Sequence, residues 1–264
     1  MASTLLVRGM LVGILAGLLA FGFATVFGEP QVDRAISFET QMEQAKAQET
    51  GNTAHDSAHG MEMSKAEAAE PELVSRGVQS TIGLLTAVVV HCAAFGGLFA
   101  LAFALIHGRV GTVGPRATSA LLALAGLVAI YVVPNLKYPA NPPAVGEPET
   151  IGYRTAMFFV MIAISIAAMI LAVTIRQNLV ARYGGWNASL IAMAAFVILI
   201  VIAQLLLPKI NEVPEHFPAA VLWNFRIASL GMQVVMWTTI GLVFGALTER
   251  DVVNRRNVSK TNVQ

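Results

Sequence analysis

The amino-acid sequence predicts an all-α integral membrane protein whose six transmembrane helices form three tandem, parallel-repeat helical hairpins. Three observations lead there. Of 264 residues, 56% are hydrophobic and only 12% charged, with a mean hydropathy of +0.66, against about 25% charge in an ordinary soluble domain. Six stretches carry no Asp, Glu, Lys or Arg, at 9–28, 77–108, 117–136, 155–175, 183–208 and 227–248, and roughly 20 apolar residues suffice to cross a bilayer. Lastly, a proline-marked loop followed by an arginine that opens an apolar run occurs three times, at Arg76, Arg154 and Arg226. The net charge of +1 and the single Cys92 signal neither a nucleic-acid partner nor an intrachain disulfide framework.

The first span covers about 7–28. Arg8 precedes its apolar run, Gly9 to Gly28, but that run exceeds a secretory h-region and lacks a small-residue cleavage site, so it reads as a retained helix. Gly9, Gly13 and Gly17 recur on one face, a spacing that lets a neighbouring helix backbone come close.

Residues 29–75 hold 10 of the 16 acidic residues and too little apolar surface for a core of their own. They read as a solvated extracytoplasmic loop, helical in part around Phe38 to Gln48. Within it, His55 and His59 stand four residues apart and Met61 and Met63 follow. Imidazole and thioether groups together suit borderline or soft transition ions.

The second span, 78–106, carries His91-Cys92 about midway between Arg76 and His107. An ionisable group at membrane depth is costly to desolvate and so marks a functional candidate. His107, beside Gly108 and Arg109, reads as interfacial. The third span, 117–135, is plain apolar sequence with Tyr131 near its end. The loop after it, with Pro134, Pro139, Pro142 and Pro143, cannot continue a helix. The fourth span, 154–175, and the fifth, 187–207, are separated by a basic link containing Gly184-Gly185. A second proline-rich loop holds His216, a further candidate metal ligand, and leads to the sixth span, 220–247, and a tail at 248–264.

The copies resemble one another around the arginine: Val-Ser-Arg-Gly-Val-Gln at 74–79, Gly-Tyr-Arg-Thr-Ala-Met at 152–157 and Asn-Phe-Arg-Ile-Ala-Ser at 224–229. Each copy contributes two spans, so all three share one orientation. With the amino terminus inside, nine Lys and Arg lie inside and eight outside; setting aside the three repeated arginines leaves five outside. The positive-inside rule then places both termini in the cytoplasm. Arginines at the outer end of three helices call for partners, and Glu29, Glu149 and Glu215 are the expected ones, in an anchoring or a gating role.

Taken in order, these features resemble the CbtA-type cobalt transporter subunits. The resemblance rests on Glu29 closing the first span, on Ser75, Arg76, Ser80 and Thr81, on the proline-rich loop at Pro134 to Pro143, on Arg154, and on Phe217-Pro218 with Leu222 to Leu230. Two departures stand out: Met157-Phe158-Phe159 where relatives often have Trp, and Ser75 where they often have Glu. The resemblance implies a bacterial inner-membrane protein that imports cobalt, works with a small single-span subunit bearing a His-rich end, and spans the membrane five times, one fewer than the charge-free runs suggest.

The expected function is therefore that of a membrane subunit in transition-metal uptake, with cobalt as substrate, and not that of an enzyme. The ion would be captured by His55, His59, Met61 and Met63, pass His216, and meet His91 and Cys92 at mid-membrane. No G-x-x-x-x-G-K-[ST] sequence is present, so no nucleotide site of that type is expected. Two alternatives accompany this reading: a non-catalytic assembly or metal-sensing partner, and a haem-binding redox protein using His91 and His107, which would need a second axial ligand for each haem.

Overall fold

The computed structural model describes residues 2–53, 74–109 and 113–261. His55, His59, Met61 and Met63 lie outside these residues. Every regular element among those described is helical. Helix α1 (Ala2–Phe23) passes through a π-helical turn, Ala24–Gly28, directly into α2 (Glu29–Thr53). A short α3 (Arg76–Val78) and a second π-helical turn, Gln79–Gly83, lead into α4 (Leu84–Ile106). Helix α5 (Pro115–Gly126) continues through Leu127–Val132 into α6 (Val133–Lys137), and the long α7 (Ile151–Leu206) and α8 (Ala219–Thr261) complete the chain.

Among the described residues, five helices are long and apolar enough to cross a membrane: Ser3–Gln48, Arg76–Ile106, Pro115–Lys137, Pro148–Leu206 and Ala219–Asp251. The fourth has 59 residues. Drawn straight it would reach about 88 Å at 1.5 Å per residue, far beyond the ~30 Å hydrocarbon thickness. It is not straight. Gly184 has φ 76° and ψ 165°, a backbone region essentially reserved for glycine. Across that break the Arg176 guanidinium Nε donates to Ser189 Oγ at 2.9 Å, whereas thirteen residues of continuous helix would separate them by about 20 Å. Met161 also shares a buried cluster with Ile200 and Ala203. The segment folds back on itself at Gly184.

Small residues set the main helix contacts. A Cβ on Gly13 would overlap the carbonyl oxygen of Cys92, one on Gly9 would overlap that of Gly96, and one on Gly17 would lie 2.8 Å from Val89 Cα. The sequence spacing of these glycines is thus matched by a seam in which the α1 and α4 backbones touch. Between apolar helices in lipid, such close van der Waals packing takes the place of a hydrophobic driving force. Helix α8 packs on α5 in the same manner, with Gly241 against Ala123 and the buried Ser119 hydroxyl donating to the Gly241 carbonyl at 2.7 Å. Phe99, Phe103, Ile240 and Phe244 fill the space between α4 and α8.

Charges collect at the two ends of this bundle. At the end bearing the chain termini, Arg8 pairs with Asp251, and Arg116 Nε lies 2.7 Å from Glu249. All three repeated arginines lie at the other end. The acidic segment there departs from the loop expected at its start, since Glu29 to Thr53 is helical throughout. Its anchoring explains why: Ala35 is fully buried, and Phe38 meets Phe217 edge-on at 5.1 Å beside Val145. One apolar patch on an otherwise polar helix is enough to hold it against the two proline-rich loops.

Candidate functional site

The midpoint of α4 brings its polar pair to α8. His91 and Cys92 line an open pocket of about 310 Å³ together with Met232, Gln233, Met236, Ala20, Ala87 and Val88. Position follows from register. His91 lies midway along Arg76–Ile106, and Met232 to Met236 occupy the middle of Ala219–Asp251, so the two polar groupings meet at one depth. Met232 and Met236 are one helical turn apart and therefore share a face. Cys92 is 2% exposed and pressed against the glycine seam; the His91 ring is tilted on Phe95 at 4.5 Å and lies largely on the open side.

The chemistry of the pocket is that of mixed nitrogen and sulfur donors: one imidazole, one thiol, two thioethers and one amide. Such a set favours borderline and soft transition ions over magnesium or calcium. Among the described residues no three His, Cys, Asp or Glu side chains come together as a metal cluster; the other side chains with sulfur or amide groups lining this pocket are Met232, Met236 and Gln233. Met232, Gln233 and Met236 were not singled out in the sequence. The available signal was Gln233, the one side-chain amide within the charge-free run 227–248, flanked by methionine at positions 232 and 236.

The other expected site residues fall elsewhere. His107 stacks on Phe103 at 5.0 Å at the opposite end of α4 from Arg76. His216 is exposed in the turn closed by Phe217 N–H donating to the Pro214 carbonyl. Neither lines the pocket.

The arginine partners differ in part from those expected. Arg76 contacts Glu29 and also Asp33, the latter at 3.0 Å; one turn of helix separates the two carboxylates. Arg154 does not pair with Glu149, which is exposed in the first turn of a 3-10 helix, Pro148–Thr150. Its partner is Glu212, with Arg154 Nε 3.2 Å from Glu212 Oε2. That proximity is a charge contact rather than an aligned hydrogen bond from Nε. Glu212 is available because the loop before α8 folds over the start of α7, where Thr150 Oγ1 and the Glu147 N–H also donate to its carboxylate, at 2.7 and 2.9 Å. These hydrogen bonds, from Thr150 first and then Glu147, with the Arg154 charge, hold the Glu212 carboxyl below its ordinary range. Arg226 does not pair with Glu215, which is exposed. It donates to the Asn141 side-chain oxygen at 2.9 Å and to the Ala140 carbonyl at 3.3 Å.

No match is found among curated proteins or among solved structures. A family profile does match, over residues 2–249, a range that takes in the paired glycine seam, the pocket at the middle of α4 and all three arginines. The chain therefore belongs to the CbtA family, described as probable cobalt transporter subunit.

Proposed function

We propose that this chain is the membrane subunit of a transition-metal uptake system, with cobalt as the substrate, and that the ion passes the pocket formed by His91, Cys92, Met232 and Met236. The observation that carries the reading is this convergence: residues some 140 positions apart in sequence bring nitrogen and sulfur donors to one depth of a bundle whose surroundings are apolar. Isolated polar groups at that depth are costly, which favours a functional role.

On this reading the fold-back at Gly184 divides α7 into two passes, giving six transmembrane segments in three hairpins with both termini in the cytoplasm of a bacterial inner membrane. The end bearing Arg76, Arg154 and Arg226 then faces outward, and His55, His59, Met61, Met63 and His216 would gather the ion there. The family's description as a subunit supports a partner, and a small single-span protein with a His-rich end is the candidate. Energy would come from an ion gradient, the membrane potential or a separate subunit.

The test is accumulation of cobalt in cells expressing the chain with its partner. Replacing Met232 and Met236 by Leu keeps their volume and removes both sulfurs; uptake is expected to fall about tenfold or more at equal protein level. His91→Ala combined with Cys92→Ser should act likewise. Full uptake in both variants would remove the pocket from the ion path.

A further inference from the structure

A second cavity, of about 830 Å³, opens between the two proline-rich loops and is lined by Lys137, Arg154, Arg226 and Glu212 among its charged residues. We infer that this cleft binds an organic oxyanion, a carboxylate or a phosphate ester. Among the described residues that line it, three cationic groups face one carboxylate, so two positive charges remain uncompensated among them. The partners of the two extra cations are neutral: Arg226 donates to Asn141 Oδ1 and the Ala140 carbonyl, and Lys137 Nζ donates to the Gln204 carbonyl at 2.5 Å. Carbonyl and amide oxygens orient these groups without cancelling their charge. A guanidinium held in this manner presents its remaining N–H groups as a fork matched to carboxylate or phosphate oxygens.

The walls argue for an organic ligand rather than a bare inorganic ion. Tyr138, Val145, Ile151 and Phe158 line the same cleft, and its volume falls within the 300–1,000 Å³ typical of small-molecule sites. A free divalent cation would be repelled here, so the cleft is chemically distinct from the mid-membrane pocket and stands whichever ion is carried. Because the cleft opens at the helix ends, its oxyanion could come from a dissolved carboxylate or from the phosphate of an anionic lipid.

Asn141→Asp gives the decisive variant. It preserves size and places a carboxylate where Arg226 already bonds, so the fold is kept while the charge of the cleft drops by one. The full chain would be reconstituted in phosphatidylcholine nanodiscs and titrated with succinate at constant ionic strength by calorimetry. In parallel, lipid retained after transfer from phosphatidylglycerol-containing nanodiscs would be measured by mass spectrometry. Saturable succinate binding that weakens about tenfold in Asn141→Asp and in Lys137→Gln, with thermal stability of Asn141→Asp unchanged or raised, supports a dissolved carboxylate ligand. Retained phosphatidylglycerol that is lost in Asn141→Asp, without succinate binding, supports the same oxyanion site with a lipid source. Absence of both, or equal binding by wild type and Asn141→Asp, overturns the inference.

Discussion

Arg154 and Arg226 each hold the loop that leads into the other's helix. Arg154, at the start of α7, contacts Glu212 in the loop before α8, and Arg226, near the start of α8, bonds Asn141 in the loop before α7. The two loops are therefore cross-tied, whereas Arg76 contacts Glu29 and Asp33 of the segment that precedes its own helix. An arginine that closes a tie between distant parts of the chain should be read in stability before transport.

Charge reversal at Arg154 should lower the thermal unfolding midpoint of the purified protein by several degrees, because it sets two carboxylates against each other while Glu212 keeps its bonds from Thr150 and Glu147. Restoring the opposite charge with Glu212→Arg in the same chain should recover part of the loss. No recovery in the double variant would show that the two side chains do not act as a pair.

Acid should unfasten the same tie. The folded-state pKa of Glu212 lies below its ordinary value of 4.5, so its contribution is fully present above that value and is lost as pH falls through the lower, folded-state one. The unfolding midpoint of the wild type should therefore decline more steeply below about pH 4.5 than that of Glu212→Gln. Parallel curves for the two proteins would assign the acid limb to other carboxylates.

Gly146 should tolerate no side chain. Its φ of 121° is one that side-chain-bearing residues rarely adopt, and a Cβ there would lie 2.6 Å from the Arg154 guanidinium carbon. Gly146→Ala is expected to cost about 1–3 kcal/mol, measured by unfolding in detergent. The same substitution at Gly152, where a Cβ would meet nothing within 4 Å, serves as the control and should be close to neutral.

The α1–α4 seam predicts a graded series. Alanine at Gly13 meets the Cys92 carbonyl and leucine meets it with more bulk, so Gly13→Ala should destabilise by about 1–3 kcal/mol and Gly13→Leu by more. Gly22, with open space at its Cβ position, should accept alanine without loss. Because Cys92 supplies both the seam carbonyl and a pocket thiol, the Gly13 variants should also depress metal uptake, and equal uptake at equal protein level would separate seam from pocket.

These contacts show where sequence reading succeeds. Charge-free runs announce membrane-length helices because charge is costly in hydrocarbon wherever the helix sits, and Gly9, Gly13 and Gly17 announce a close approach because only glycine permits it. The partners of Arg154 and Arg226 were beyond reach for the converse reason: Glu149 and Glu215 are near in sequence, but pairing across loops depends on how the two proline-rich segments fold over each other. Residues 29–53 misled by composition. Their acidic surface suggests a loop that is helical only around Phe38 to Gln48, while the packing of Ala35 and Phe38 with Val145 and Phe217 and the contacts of Arg76 with Glu29 and Asp33 accompany a helix from Glu29 onward. Met232 and Met236 show a third case, since their spacing on α8 acquires meaning only beside His91 and Cys92.

The unbroken passage from α1 into α2 has a mechanical consequence. Ser3–Gln48 runs for 46 residues, about 69 Å at the helical rise, so more than half of it stands clear of a ~30 Å hydrocarbon layer. Arg76 holds it at Glu29 and Asp33, and the α4 backbone holds it at Gly9, Gly13 and Gly17, so one continuous helix ties the proline-rich loops that Phe38 touches to the seam beside Cys92.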